Sequence, residues 1–411
     1  MDNNIMVLGE NLVVSLDTRK TQLNNNVLVV GASGAGKTRG IVIPNILMGT
    51  GSYLITDPKG NLYDKYGKLL EDKGYVVKKL DFTNPAESAH YNFMEYIRST
   101  HDIVKAAHML IYQRKSGGHA DPFWDEASQL LLQAAIGYLW EMEDENYRNY
   151  GKLMDLLEML KAPGENDSSA ETEFDRLMKS HGFRHKDSYA VSCYNKFRVA
   201  AARTLRSIMI SVNARLGLFD TPDLCEMMKT DDIDIPSIGK RKTALFVVVS
   251  DTDRSLDGLV NIFFTQAMSE LCRYADNECE DSRLPVPVRF IMDDFATNCC
   301  IDEFPRMISS IRSRDISTML MIQAESQLEE YYNKDSKTII ANCDTYVYMG
   351  GNDIATAEEI SKRCDQPLKK ILYMPVGTSW VFRRGQMPVN VRNYKLRGPE
   401  RKKAILLDRA G

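Results

Sequence analysis

The stretch Gly31-Ala32-Ser33-Gly34-Ala35-Gly36-Lys37-Thr38 decides the fold. It sits between the apolar run Val27-Leu28-Val29-Val30 and the helix-compatible segment Arg39-Gly40-Ile41-Val42-Ile43. The order is therefore strand, glycine loop, helix, and every fixed position of G-x-x-x-x-G-K-[ST] is filled. Glycines allow the backbone to turn tightly enough to aim several N–H groups at one anion. The following helix adds partial positive charge and unpaired amides at its N-terminus. The expectation is a polyphosphate seated against Gly31 to Arg39. Lys37 then reaches the β- and γ-phosphates, and the Thr38 hydroxyl ligates Mg2+.

Upstream, Ile5 to Leu8 and Leu12 to Leu16 flank Gly9-Glu10-Asn11 and read as a short hairpin. Downstream, Pro44 lacks the N–H that a helix needs, so the helix is expected to bend or end near Ile43. A second strand, Ser52 to Thr56, runs into Asp57-Pro58-Lys59-Gly60, and a third spans Tyr75 to Leu80. Two strand–helix–strand passes in 80 residues predict an α/β fold with a doubly wound, mostly parallel sheet. In such sheets ligands bind beyond the C-terminal strand ends, where Asp57 lies.

From about His101 to Leu216 helical periodicity replaces strand signals. Asp121-Pro122 opens one helix, as an N-cap followed by proline. Its apolar stripe is Phe123, Ala127, Leu130, Leu131, Ala134, Tyr138 and Leu139. Leu153 to Leu160 reads as another helix, and 163–167 as a loop. Ser188 to Leu216 reads as one long helix bearing Lys196, Arg198, Arg203, Arg206 and Arg215, a solvated basic face or a partner surface. The expected division is 1–100 with 217–411 as the nucleotide-binding domain and 101–216 as an inserted all-α domain.

Strands resume at Ala244 to Val249, Val288 to Met292, Thr318 to Ile322, Thr345 to Met349, Ser379 to Phe382 and Val389 to Asn393. Hydrolysis of a bound nucleotide needs further parts. Asp293, closing the apolar run 288–292, suits a Mg2+ carboxylate, since an ionised group is costly there without a cation. Its neighbour Asp294 is the candidate base for the attacking water. Gln323, ending the next strand, is placed to sense the γ-phosphate. Arg312 and Arg314 precede that strand; either could be donated to a neighbouring subunit's site.

The chain has 411 residues, a formal net charge of −4 and 8 cysteines. That charge excludes a global basic field, so nucleic-acid binding has to be local. The cysteines show no zinc spacing and read as reduced cytosolic thiols. Neither a leader pattern nor an apolar run of about 18 residues occurs, so a soluble, cytoplasmic chain is expected. After Arg392 the residues turn basic (Lys395, Arg397, Arg401, Lys402, Lys403), which reads as a tail.

The succession GASGAGKTRGIVIPN (31–45), TDPKG (56–60), FWDEA (123–127), IMDDFA (291–296), IRSRDIS (311–317) and MIQAESQLEEYY (321–332) resembles the type IV coupling proteins of bacterial conjugation. These are TraG-like, RecA-like ATPases, and the resemblance runs from about Gly9 to Lys395. It implies ATP and Mg2+ as cofactors and a hexamer at the inner membrane. It also implies delivery of a relaxase with its single-stranded DNA to a type IV secretion channel. Carried over, Lys37 and Thr38 match the Walker A pair, Asp293 the Walker B aspartate, Gln323 the strand-end glutamine and Arg312 the trans-acting arginine. The helical insertion matches the part implicated in substrate recognition. Three departures stand out. Asp294 occupies the usual glutamate position, Asn61 replaces a frequent glutamate, and the family's transmembrane helices do not precede the nucleotide domain in this chain. Two other readings stay open: a nucleotide-dependent docking receptor that hydrolyses weakly, which Asp294 motivates, and another RecA-like DNA translocase or helicase. Asp302-Glu303 follows no buried strand and is rejected as the metal carboxylate.

Overall fold

Short apolar runs bounded by glycine, proline and asparagine become eleven strands among the described residues of the computed structural model. The structure describes residues 4–111, 122–160, 171–200, 202–295, 297, 299, 301 and 303–395. Ile5–Gly9 (β1) and Leu12–Ser15 (β2) pair as the antiparallel hairpin. Then follow Val27–Val30 (β3), Ser52–Thr56 (β4), Val76–Asp81 (β5) and Thr243–Val248 (β6). Val288–Met292 (β7), Ile316–Ile322 (β8), Thr345–Tyr348 (β9), Thr378–Arg383 (β10) and Val389–Arg392 (β11) complete the set. Nine of them form one sheet in the order β11-β10-β9-β3-β8-β7-β4-β6-β5.

The strand β3 runs parallel to both neighbours, β8 and β9. The pairs β7–β8, β4–β7 and β4–β6 are also parallel, while β10 is antiparallel to β9 and β11. Every residue of β3, β4, β6, β7, β8 and β9 is buried, as expected of parallel strands covered on both faces. Their shared direction brings the C-terminal ends of β3, β4, β7 and β8 to one edge.

Two compact units divide the chain. One comprises 1–79, 234–252 and 267–411 and holds the sheet. The other comprises 80–233 and 253–266, wider than the expected 101–216, and is helical. Its centre is the helix Pro122–Glu141, packed against Thr100–Ile111 and Tyr189–Arg198. That helix is buried well beyond its expected stripe: Leu132, Ala135 and Ile136 are as enclosed as Leu131. A central helix is apolar nearly all round. Asp121, the 163–167 loop and the basic residues beyond Lys395 lie outside the described residues.

Three expectations change. The helix does not end at Ile43: a π-helical turn at Thr38–Val42 runs into an α-helix at Ile43–Met48. Pro44 falls at the start of that α-helix, where its missing N–H costs least. Ser188 to Leu216 is two helices, Tyr189–Arg198 and Ala202–Leu216. The first closes on three-residue turns, Val199 N–H to the Lys196 carbonyl and Ala200 N–H to that of Phe197. Two of the basic residues are held by carboxylates, while Lys196 and Arg206 are exposed. Arg198 pairs with Asp175 at 3.0 Å, and Arg215 with Asp125 at 2.6 Å.

Candidate nucleotide site

The glycine loop leaves β3 with donors unused. Among the described residues the N–H groups of Ser33, Gly34 and Gly36 have no hydrogen-bond partner. Gly34 and Gly36 have φ of 78° and 92°, and a Cβ on either would point into open space. The loop is thus glycine for conformation, and a phosphate has room against it. Gly31 is glycine for a different reason: a Cβ there would come within 2.9 Å of the Met349 Cβ. Its N–H bonds the Ile322 carbonyl of β8, and Ala32 N–H that of Gly350, anchoring the loop's root. The Ala35 N–H bonds the Ala32 carbonyl inside the turn.

Lys37 is 8% exposed, and its Nζ donates to the Gly31 carbonyl at 2.7 Å and the Ala32 carbonyl at 3.4 Å. Burial pushes its ammonium below the usual lysine range, while Asp294 and Asp293 pull the other way. An ammonium held on two carbonyls can be released to phosphate oxygens without first being stripped of bulk water.

At the end of β7, Asp293 is locked from both sides of its peptide. Its N–H donates to the Thr56 Oγ1 at 2.6 Å, and that hydroxyl donates back to the Asp293 carbonyl at 3.1 Å. The Thr38 hydroxyl donates to Asp293 Oδ2 at 2.5 Å. Burial raises the Asp293 carboxyl above its ordinary range, and the Thr38 hydrogen bond partly offsets this. A hydroxyl and a carboxylate oxygen in contact beside a phosphate-shaped loop form a donor set suited to a hard divalent cation. The residues fit Mg2+.

Asp294 follows with φ of 50° and donates its N–H to Asp293 Oδ1 at 3.1 Å. The left-handed region admits aspartate more readily than most L-residues. That conformation gives a physical reason for the short carboxylate at this position.

A cleft of about 770 Å3 joins these groups, lined by Ser33, Thr38, Arg39, Asp293, Asp294 and Gln323 among others. Gln323 is exposed, and its side-chain amide has no hydrogen bond among the described residues. The same cleft takes in Asp57, which the sequence places at the ligand edge, and Lys59 and Asp251, which sequence reasoning did not assign. Asp57 Oδ2 accepts from the N–H groups of Leu62 and Tyr63, capping the helix Asn61–Glu71, and burial raises its carboxyl. Lys59 reaches Asp251 at 3.8 Å across the wall. For Asp57 the signal was its strand-end position; Asp251 carries none.

Arg312 lies elsewhere. It precedes β8, whose seven residues lie between it and Gln323, so strand rise separates the two by on the order of 20 Å. The guanidinium of Arg312 has no partner among the described residues. That of Arg314 is held by Asp276 at 2.8 and 2.6 Å and by the Ser310 carbonyl. Of the two arginines, Arg312 is the free one.

The family described as type IV secretory system conjugative DNA transfer matches residues 2–366. The chain belongs to that family. It is 25% identical over 346 residues to the VirD4 protein of Rhizobium radiobacter, and 24% over 344 residues to that of Rhizobium rhizogenes. Each alignment covers 82% of this chain but 47% and 48% of the relatives, so the chain spans about half their length. The conjugative coupling protein TrwB lacking its first 70 residues, in complex with sulphate, superposes with a TM-score of 0.68 at 18% identity. That match covers 96% of this chain and 91% of TrwB. TrwB with the ATP analogue ADPNP gives 0.65 over the same shares, and VirB4 of Thermoanaerobacter pseudethanolicus 0.56 at 12% identity over 97% and 98%. These likenesses establish the RecA-like P-loop fold of a coupling-protein family member. No helix among the described residues is long and apolar enough to cross a membrane.

Proposed function

We propose that this chain is the ATP-hydrolysing motor part of a coupling protein, drawing relaxase-bound single-stranded DNA toward a type IV secretion channel. The observation that carries the reading is the contact of Thr38 with Asp293 at 2.5 Å, beside a loop whose Ser33, Gly34 and Gly36 N–H groups have no partner among the described residues. Thr38 and Asp293 would hold Mg2+, which would neutralise charge on the polyphosphate. The loop amides and Lys37 hold the polyphosphate and orient it. Asp294 takes a proton from the attacking water, held at that position by the left-handed turn. The Gln323 amide, unpaired at the strand end, hydrogen-bonds the γ-phosphate side and links nucleotide state to β8. Arg312 is too far away to serve its own site and acts on that of an adjacent copy in a hexameric ring. The helical unit is the surface for the substrate protein, and the assembly works at the inner membrane.

The test is ATP turnover by purified chain, with and without single-stranded DNA, against Lys37→Ala. DNA-stimulated turnover that Lys37→Ala abolishes is expected. Intact nucleotide binding with no turnover would leave the docking-receptor reading instead.

A further inference from the structure

The opposite edge of the same sheet carries a second cleft, separate from the one in which the chain's own nucleotide would sit. It opens where β4, β7 and β8 begin and encloses about 220 Å3. Its charged lining is Arg19, Arg283, Arg289 and Arg312 with Asp17 and Asp315. Four guanidinium groups against two carboxylates leave an excess of two positive charges.

Arg289 is the unusual member. It is the second residue of β7, in a strand otherwise apolar, and only 6% exposed. Its Nε donates to the Ser317 hydroxyl at 3.2 Å, while Nη1 is buried with no hydrogen-bond partner. Burial pulls its pKa down, and the neighbour that counters this is Tyr53, not a carboxylate. A buried cation without a counter-charge is among the costlier arrangements in a folded chain.

The aspartates nearby are engaged. Asp315 accepts from Arg283 Nη1 at 2.7 Å, and Asp17 accepts from the backbone N–H groups of Arg19 and Lys20. Arg312, half-buried in the lining, is unpaired among the described residues. The cleft's own carboxylates therefore leave Arg289 and Arg312 unbalanced, and its volume of about 220 Å3 lies below the roughly 300–1,000 Å3 usual for small-molecule pockets, which suits a small anion. Planar guanidinium forks match tetrahedral oxyanions in geometry and charge.

We propose that this strand-start cleft is a second oxyanion site that takes a phosphate dianion against Arg289 and Arg312. Two sources share that chemistry: inorganic phosphate and, resting on the trans role proposed above for Arg312, the terminal phosphate of a nucleotide carried by a second copy of this chain. The proposal does not rest on hydrolysis at the phosphate loop, because it is tested with Lys37 removed.

Inorganic phosphate is titrated into Lys37→Ala protein by calorimetry, with thermal shift as a second readout. One phosphate per chain is expected to bind. Arg289→Met in that background weakens it at least tenfold, while the phosphate-free melting temperature stays at or above the parent's because an unpaired buried charge has gone. Should Arg289→Met fail to fold, the surface change Arg312→Ala is expected to weaken phosphate at least threefold. To separate sources, Lys37→Ala protein is mixed with Arg289→Met protein and ADPNP, and association is followed by sedimentation. Association that needs ADPNP assigns the phosphate to a second copy; phosphate binding without association assigns it to the free ion. The proposal is overturned if Lys37→Ala binds no phosphate and no copy, or if both substitutions leave the affinity unchanged.

Discussion

Removing the Arg312 guanidinium tests how two copies share one site. From its own Cα an arginine reaches about 7 Å, against the roughly 20 Å that β8 puts between Arg312 and the nucleotide edge. No rotamer closes that gap, so any contribution to hydrolysis has to come in trans. Arginines acting this way contribute about 10³–10⁵ in rate, so Arg312→Ala is expected to lower kcat by that order with nucleotide binding retained. Lys37→Ala disables the other half of the same interface. Mixing the two inactive proteins restores sites in which an intact loop faces an intact Arg312. With random assembly at equal amounts, about a quarter of interfaces qualify, so the mixture should recover on the order of a quarter of wild-type turnover. The assay is ATPase rate at fixed total protein, above the concentration at which sedimentation shows assembly. A mixture as inactive as its components, once co-assembly is shown, refutes the trans arrangement. So does Arg312→Ala protein with wild-type kcat.

Other outcomes follow from single side chains. Asp294→Glu moves the carboxylate outward by about 1.5 Å and puts a less tolerant residue at φ of 50°. Turnover should fall about 10²-fold, read as kcat, with a lower melting temperature; a gain in turnover would contradict the assigned role. Gly36→Ala, at φ of 92°, is expected to cost about 1–2 kcal/mol of stability by denaturant unfolding and to weaken ADPNP binding. Asp293→Asn should abolish turnover yet stabilise the nucleotide-free, Mg2+-free chain. Because burial raises the Asp293 carboxyl above 3.8, its share of stability is complete below that pH and is lost as pH rises through the raised value. The melting-temperature advantage of Asp293→Asn should therefore grow from pH 4 toward neutrality and vanish in acid. An advantage independent of pH would contradict the assignment.

The sheet was legible because its strands are buried on both faces, which leaves uninterrupted apolar runs such as 27–30 and 244–249. The phosphate loop was legible because its chemistry allows few alternatives at each fixed position. What escaped depends on tertiary context. Pro44 is tolerated because a π-helical turn precedes it, and no local pattern announces that turn. Arg198 and Arg215 look like a solvated stripe until Asp175 and Asp125 come beside them. Asp294 looked like a shortened glutamate; only the backbone conformation shows why aspartate suits the position. Arg289 passed unnoticed inside a run read as apolar, and the orphaned Nη1 emerges only when β7 and β8 are adjacent.

The central claim is that Lys37, Thr38 and Asp293 form a hydrolytic site driven by DNA. It is tested most directly by ATP turnover of the purified chain at assembling concentration, with and without single-stranded DNA. The account predicts Mg2+-dependent turnover that rises with DNA and disappears in Lys37→Ala. Nucleotide bound without turnover, in the presence of Mg2+, DNA and demonstrated assembly, would contradict it.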